Sequence, residues 1–200
     1  MIGMNQFIVT TKARRIYTDE VTGKKKTRTV KVEVPILSPE HFPLLLSVVR
    51  DDRLLLTIRI LLGSGIRYEE LGQITRETFY PDNKSIRIIS MKEKAVIPDR
   101  YVSLSTDGAE AVRLWIEGGY KPMTRIGFYD HLKKLYPKTG LILTSKSFRK
   151  TVEVWRLKAG INALEVSYSQ GHTSKVQAGH YFSGIPFNSQ QVEEIRRLVS

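Results

Sequence analysis

The chain has 200 residues, 41% of them hydrophobic, which suits one domain with its own core and excludes a disordered chain. Its formal charge is +12, from 32 Lys+Arg against 20 Asp+Glu, and this favours a polyanionic partner, either nucleic acid or an anionic membrane surface. There is no cysteine, hence no disulfide and no thiolate zinc site, and no stretch approaches the ~20 apolar residues of a membrane span, so the nucleic-acid reading leads.

Residues 5–35 alternate as strands do, through Phe7-Ile8-Val9-Thr10 and Val30-Lys31-Val32-Glu33-Val34. The turn and charge run Glu20-Val21-Thr22-Gly23-Lys24-Lys25-Lys26 lies between them, so a β-hairpin or a basic arm is expected over 1–36. Ser38-Pro39 reads as a helix start, with Ser38 as N-cap and Phe42, Leu45, Leu46 and Val49 on one apolar face. A second helix, through Leu54-Leu55-Leu56 to Leu62, is apolar nearly all round and reads as the central core helix. Gly63-Ser64-Gly65 ends it, and a third helix is expected from about Arg67.

The period changes to two at Ser85–Ser90 and Arg100–Leu104, with Pro81-Asp82-Asn83 as a turn before the first strand. Helices follow at 106–117, 125–135, 145–158, 162–169, 174–181 and 189–199, with Gly160 as a C-cap. The expected fold is mainly α with a small antiparallel β-sheet, continuous over 37–200. The four histidines show no metal-ligand helical spacing with a carboxylate partner, and Walker and G-x-G-x-x-G motifs are absent. The N-terminal residues lack a signal-peptide core, so a cytoplasmic, nucleoid-associated protein that is not secreted is expected.

Four short segments carry chemistry: Gly63-Ser64-Gly65-Ile66-Arg67, Met91-Lys92-Glu93-Lys94, Lys146-Ser147-Phe148-Arg149, and Gln170-Gly171-His172 with Tyr181 nine positions later. A phosphodiester resists attack because it is anionic. Arginine's planar fork binds two phosphate oxygens and stays charged. A tyrosine becomes nucleophilic when cations lower its pKa from about 10. A covalent phosphotyrosine conserves the bond energy, so resealing needs neither metal nor ATP, and no cofactor is expected.

The order and spacing resemble the catalytic domain of the tyrosine recombinases, the phage-type integrases. The family's first box, T-G-[LM]-R-x-x-E-[LI], reads here Ser64-Gly65-Ile66-Arg67-Tyr68-Glu69-Glu70-Leu71. The resemblance makes Arg67 the first catalytic arginine and Glu70 its buried support. The family's strand-turn-strand lysine corresponds to Lys92, with Lys94 as runner-up, in a turn longer than usual. The second box, H-x-L-R-H, reads Lys146-Ser147-Phe148-Arg149-Lys150, so Arg149 is the second clamp. Lys146 replaces the usual histidine, a K-x-x-R variant that resembles some archaeal virus integrases, and takes a charge-stabilising role. The third box makes His172 a phosphate ligand and Tyr181 the nucleophile.

The resemblance implies a tyrosine recombinase catalytic-domain fold, site-specific recombination of double-stranded DNA at attachment sites through a 3′-phosphotyrosine, and a tetramer on DNA. A monomer when free is left open, as is docking of the last helix on a neighbouring protomer through Val192, Ile195 and Val199. The separate helical DNA-clamping domain usual in the family is not expected within these residues. Two alternatives are weighed, a type IB topoisomerase and a DNA-binding protein without catalysis. Arg76, Lys94, Arg100, Lys150 and Lys175 read as solvated charges available to DNA phosphates, and Trp155 reads as core.

Overall fold

The computed structural model describes residues 6–20, 22–89, 99–171 and 185–200. The chain opens with a long antiparallel hairpin, β1 (Phe7–Thr18) against β2 (Lys25–Ile36), in a register that sets Phe7 opposite Ile36 and Thr18 opposite Lys25. At its base Val9, Val34 and Ile36 are buried against Val154 and Ile185. The Leu37 N–H donates to Thr151 Oγ1 at 3.0 Å and Trp155 Nε1–H donates to the Leu37 carbonyl at 2.9 Å. The hairpin therefore hangs from the helix that carries Thr151, Val154 and Trp155.

Helices α1 (His41–Val48) and α2 (Asp52–Ser64) follow. The start of α1 differs from expectation: Ser38 lies in a turn, where its N–H donates to His41 Nδ1 at 3.0 Å, and Glu40 takes the N-cap position. Asp51 caps α2 by accepting from the Leu54 N–H at 2.7 Å. As its all-round apolar sequence requires, α2 is the core helix, with Ile58, Ile60 and Leu61 fully buried. It meets α3 (Thr106–Glu117) at a glycine contact: a Cβ on Gly63 would stand 2.5 Å from Gly108 Cα.

The third expected helix is a 3₁₀ helix, Tyr68–Gln73. A three-stranded antiparallel sheet comes next, β3 (Phe79–Tyr80), β4 (Ser85–Ile89) and β5 (Asp99–Ser103), ordered β3-β4-β5. Ile86, Ile88 and Val102 alternate inward and are fully buried. Helix α4 (Arg125–Thr139) runs past the expected end at 135, through Pro137, to Gly140 in the left-handed region at φ 70°.

α5 (Ser145–Lys158) is capped by Thr144, which exchanges hydrogen bonds with Ser147. Nearly every residue from Ser147 to Arg156 on α5 is buried, Trp155 among them as expected. α6 (Ala163–Gln170) and α7 (Ser189–Val199) complete the described elements. Ile195 of α7 is fully buried in the chain's own core, with Leu198 and Val199 packed against it. This intramolecular packing uses two residues of the stripe considered for docking on a neighbour. The expected helix at 174–181 lies outside the described residues. Among the described residues no helix is long and apolar enough to cross a membrane.

Candidate active site

The end of α2 sets up the site. Gly65, at φ 71°, caps the helix with its N–H on the Leu61 carbonyl at 2.9 Å. The reversal drops Ile66 into the core and places Arg67 at the head of the 3₁₀ helix. Glu70 reaches back and accepts from the Arg67 N–H and from Arg67 Nη1, both at 2.8 Å. From the opposite side Arg100 Nη2 donates to Glu70 Oε2 at 2.7 Å. Glu70 is buried; desolvation alone would raise its pKa, but the hydrogen bonds and charges of Arg100 and Arg67 outweigh it and hold the carboxyl below its ordinary value.

Arg149, on α5, is half-buried beside this group. Its Nη1 donates to the Gly65 carbonyl at 2.9 Å and its Nη2 to the Gln170 carbonyl. Burial, and then the nearby positive charge of Arg67, push its pKa down to about 9, so it remains a cation at neutral pH. Arg67 and Arg100 thus clasp the Glu70 carboxylate, and Arg149 lies beside them within reach of the charges of Glu70 and Glu153. The cluster carries surplus positive charge where water is partly excluded, and the Arg67 side chain remains 42% exposed at its edge. Such an arrangement attracts an anion with two oxygens to share, as a phosphodiester has.

The C-terminal turn of α6 is tied to the same cluster. Arg149 holds the Gln170 carbonyl and Arg100 Nε holds the Ser169 carbonyl at 2.9 Å. Buried Arg156 donates to Ser169 Oγ at 2.9 Å and to the Ser103 carbonyl at 2.5 Å, and burial pushes its pKa down to about 10. The last carbonyls of a helix lack intrahelical donors, and guanidinium groups satisfy them while matching the negative end of the helix dipole. Gly171 lies against the Arg100 guanidinium, since a Cβ there would meet it at 3.3 Å. Gly171, the residue before His172 in the chain, therefore lies at the arginine cluster.

Of the expected site residues, the structure brings Arg67, Glu70 and Arg149 together. Lys146 is exposed in the first turn of α5, three residues ahead of Arg149 and hence on a neighbouring part of the same face. Arg76 is exposed. Lys92, Lys94, His172, Lys175 and Tyr181 lie outside the described residues. Two residues read as solvated charges are buried. Arg100 retains 3% of its exposure and is bound as above, because it falls in the inward alternation of Val102 and Leu104. Lys150 retains 8% and pairs with Glu153 at 2.7 Å, because α5 is covered on almost all sides. Sequence reasoning missed Arg100 and Arg156 as anchors of the α6 terminus. For Arg100 the period of β5 was the available signal.

Solved structures share this fold. The XerA recombinase is 18% identical, with a TM-score of 0.61, over 80% of this chain and 63% of that one. The Tn1549 transposon integrase in complex with circular intermediate DNA is 20% identical, with a TM-score of 0.63, over 80% and 66%. The integrase from mycobacterium phage Brujita is 19% identical, with a TM-score of 0.59, over 88% and 61%. The match spans less than two-thirds of the length of each of these chains. No curated protein matches by sequence. Residues 35–184, the greater part of the chain, match the phage integrase family, and the chain belongs to it.

Proposed function

We propose that this chain catalyses site-specific DNA recombination with Tyr181 as nucleophile, inside the cell, on double-stranded DNA attachment sites. The Tyr181 phenolic oxygen attacks the scissile phosphorus. Tyr181 releases its phenolic proton to water, a bond forms from tyrosine to phosphorus, the bond to the 5′ oxygen breaks, and Lys92 gives that oxygen its proton. Arg67 and Arg149 bind the non-bridging oxygens, with Lys146 and His172 adding charge and hydrogen bonds as negative charge builds in the transition state. The 5′-hydroxyl of a partner strand then attacks the phosphotyrosine phosphorus and gives its proton back to Lys92, the tyrosine–phosphorus bond breaks, Tyr181 leaves and is reprotonated from water, and a new junction is joined. Recombination between two sites makes a tetramer the working assembly.

The observation that carries this reading is Arg149 standing beside Arg67 and donating to the Gln170 carbonyl at the C-terminal turn of α6, two residues ahead of His172 in the chain. Family membership supports the same chemistry. The test is incubation with nicked suicide duplexes, including candidate attachment sites, followed by denaturing electrophoresis. A covalent protein–DNA adduct that disappears in Tyr181→Phe is expected. A folded, DNA-binding protein that forms no adduct would overturn the reading in favour of a binding module.

A further inference from the structure

We propose that the β1–β2 hairpin is a DNA-contacting ribbon, seated in the major groove of the duplex whose phosphate occupies the arginine cluster. The proposal rests on the DNA-cleaving function proposed above, and its own evidence lies in the hairpin. Residues 7–36 hold eight Lys+Arg against three Asp+Glu, a net +5 of the chain's +12. The register places like charges directly opposite one another, Arg15 across from Arg28. Directly opposed like charges destabilise a strand pair. Among the described residues the hairpin's one ion pair is Lys26–Asp19 at the turn, and Arg15, Arg28 and Lys31 have no carboxylate partner. A ribbon shaped by folding alone gains nothing from this pattern, whereas a polyanion lying along it turns the repulsion into attraction.

The shape fits the same partner. From Arg15 to Thr18, and from Lys24 to Thr29, the side chains are exposed, Ile16 at 72%. An isolated two-stranded hairpin is marginal in water, so this outer half lacks the packing that would ordinarily hold it. The eight residues from Thr11 to Thr18 extend about 25 Å at ~3.3 Å per residue. The major groove, ~12 Å wide, admits a two-stranded ribbon. Tyr17, on the same face as Arg15 and Arg28, gives the tip an apolar group for base edges, and the Arg28 guanidinium lies 5.5 Å from the centre of its ring. The base is fixed to α5 through Thr151, Val154 and Trp155, and Arg149 stands on that same helix. The base of the ribbon and the arginine cluster therefore share one helix, which gives a duplex touching both a defined register on the protein.

The test compares the wild-type chain with the triple variant Arg15→Gln, Arg28→Gln, Lys31→Gln. Binding to a labelled 40-base-pair duplex is followed by fluorescence anisotropy over a salt series, with thermal unfolding in parallel. Each phosphate contact adds ~0.9 to the slope of log K against log salt, so the variant's slope is expected to fall by about 2–3, with affinity reduced at least about 10-fold near 100 mM salt. Its melting temperature is expected to hold or rise, because the opposed charges are gone. Methylation of guanine N7, in the major groove, should weaken wild-type binding and leave the variant's binding unaffected. Unchanged slope and affinity would overturn the proposal, as would wild-type binding to anionic vesicles in preference to the duplex. The covalent adduct is scored on the wild type alone. A wild type that binds through the ribbon without forming an adduct removes the recombinase reading and leaves the ribbon standing. An adduct-forming wild type whose variant binds equally well removes only the ribbon.

Discussion

Arg100 Nη2 lies 2.7 Å from Glu70 Oε2, and the two residues retain only 3% and 6% of their exposure, so the side chain that holds the catalytic-box carboxylate comes from a different part of the fold. Arg100 belongs to β5 and also holds the Ser169 carbonyl, which makes it the tie between the sheet, the 3₁₀ helix and the end of α6. Removing one partner of a buried ion pair leaves an uncompensated charge, at a cost of about 3–5 kcal/mol. Arg100→Leu is expected to lose that much in urea unfolding, and adding Glu70→Leu is expected to recover part of it. A single-variant loss under about 1 kcal/mol would show that the pair does not hold the site together.

Glu70 also sets an acid limit. Its folded pKa lies below the ordinary 4.5 because the bonds from Arg100 and Arg67 outweigh desolvation. Between those two values the unfolded chain binds more protons than the folded one, so stability rises with pH across that window. The contribution is complete above about pH 5 and is lost as pH falls through the depressed folded value. Glu70→Gln is expected to be less stable at neutral pH and to show a shallower decline below pH 4.5. Equal acid slopes for the two proteins, measured by denaturant unfolding at each pH, would contradict this.

Arg149 is pushed down to about 9 by burial and by the neighbouring Arg67, a repulsion that an anion seated between them would relieve. Sulfate, a stand-in for the phosphodiester, should therefore bind the folded chain and stabilise it by about 1.4 kcal/mol at ten times its Kd, ~3–6 °C for a domain of this size. Sulfate also stabilises proteins generally by exclusion from their surfaces. The informative quantity is thus the difference between wild type and Arg149→Gln, with chloride at equal ionic strength as reference. A wild-type gain of the same size as the variant's would mean that the cluster does not hold the anion.

Much of this architecture was readable from local chemistry. α3 and α5 begin and end as expected because Ser105 and Thr144 are strong caps beside clear helical periods. Ser85–Ile89 and Asp99–Ser103 alternate cleanly because one face of the small sheet is buried. The misreadings share a cause. Arg100 and Lys150 were judged by their charge, and tertiary packing covers them with partners that lie 30 residues away in one case and three in the other. At the start of α1, the bond from the Ser38 N–H to His41 Nδ1 displaced the helix start by two residues, a competition that a capping rule does not anticipate. The boxes that carry Arg67 and Arg149 were legible because glycine, arginine and acid recur there at fixed spacing. The convergence of Arg149 on the Gly65 and Gln170 carbonyls was not, because it depends on how α2, α5 and α6 pack.

Gly65 is the position where the backbone and the site constrain one residue together. Its φ of 71° lies in the left-handed region, which costs a residue with a Cβ ~1–2 kcal/mol. A Cβ would also stand 2.5 Å from Gln170 Nε2 and 2.9 Å from Val152 Cγ1. Val152 belongs to buried α5 and Gln170 is fully buried at the end of α6, so a methyl there forces both side chains to repack within the core. The repacking falls on the residues whose carbonyls Arg149 holds, Gly65 itself and Gln170. Gly65→Ala is accordingly expected to lose about 2–4 kcal/mol of stability, from backbone strain and forced repacking together. It should also lower adduct formation on suicide DNA at temperatures where the variant remains folded, with duplex binding less affected. Gly72→Ala is the control, since a Cβ there meets its nearest neighbour at an ordinary 3.9 Å and no left-handed φ is required. A Gly65→Ala protein as stable and as active as the Gly72→Ala control would show that the turn after α2 does not position Arg149.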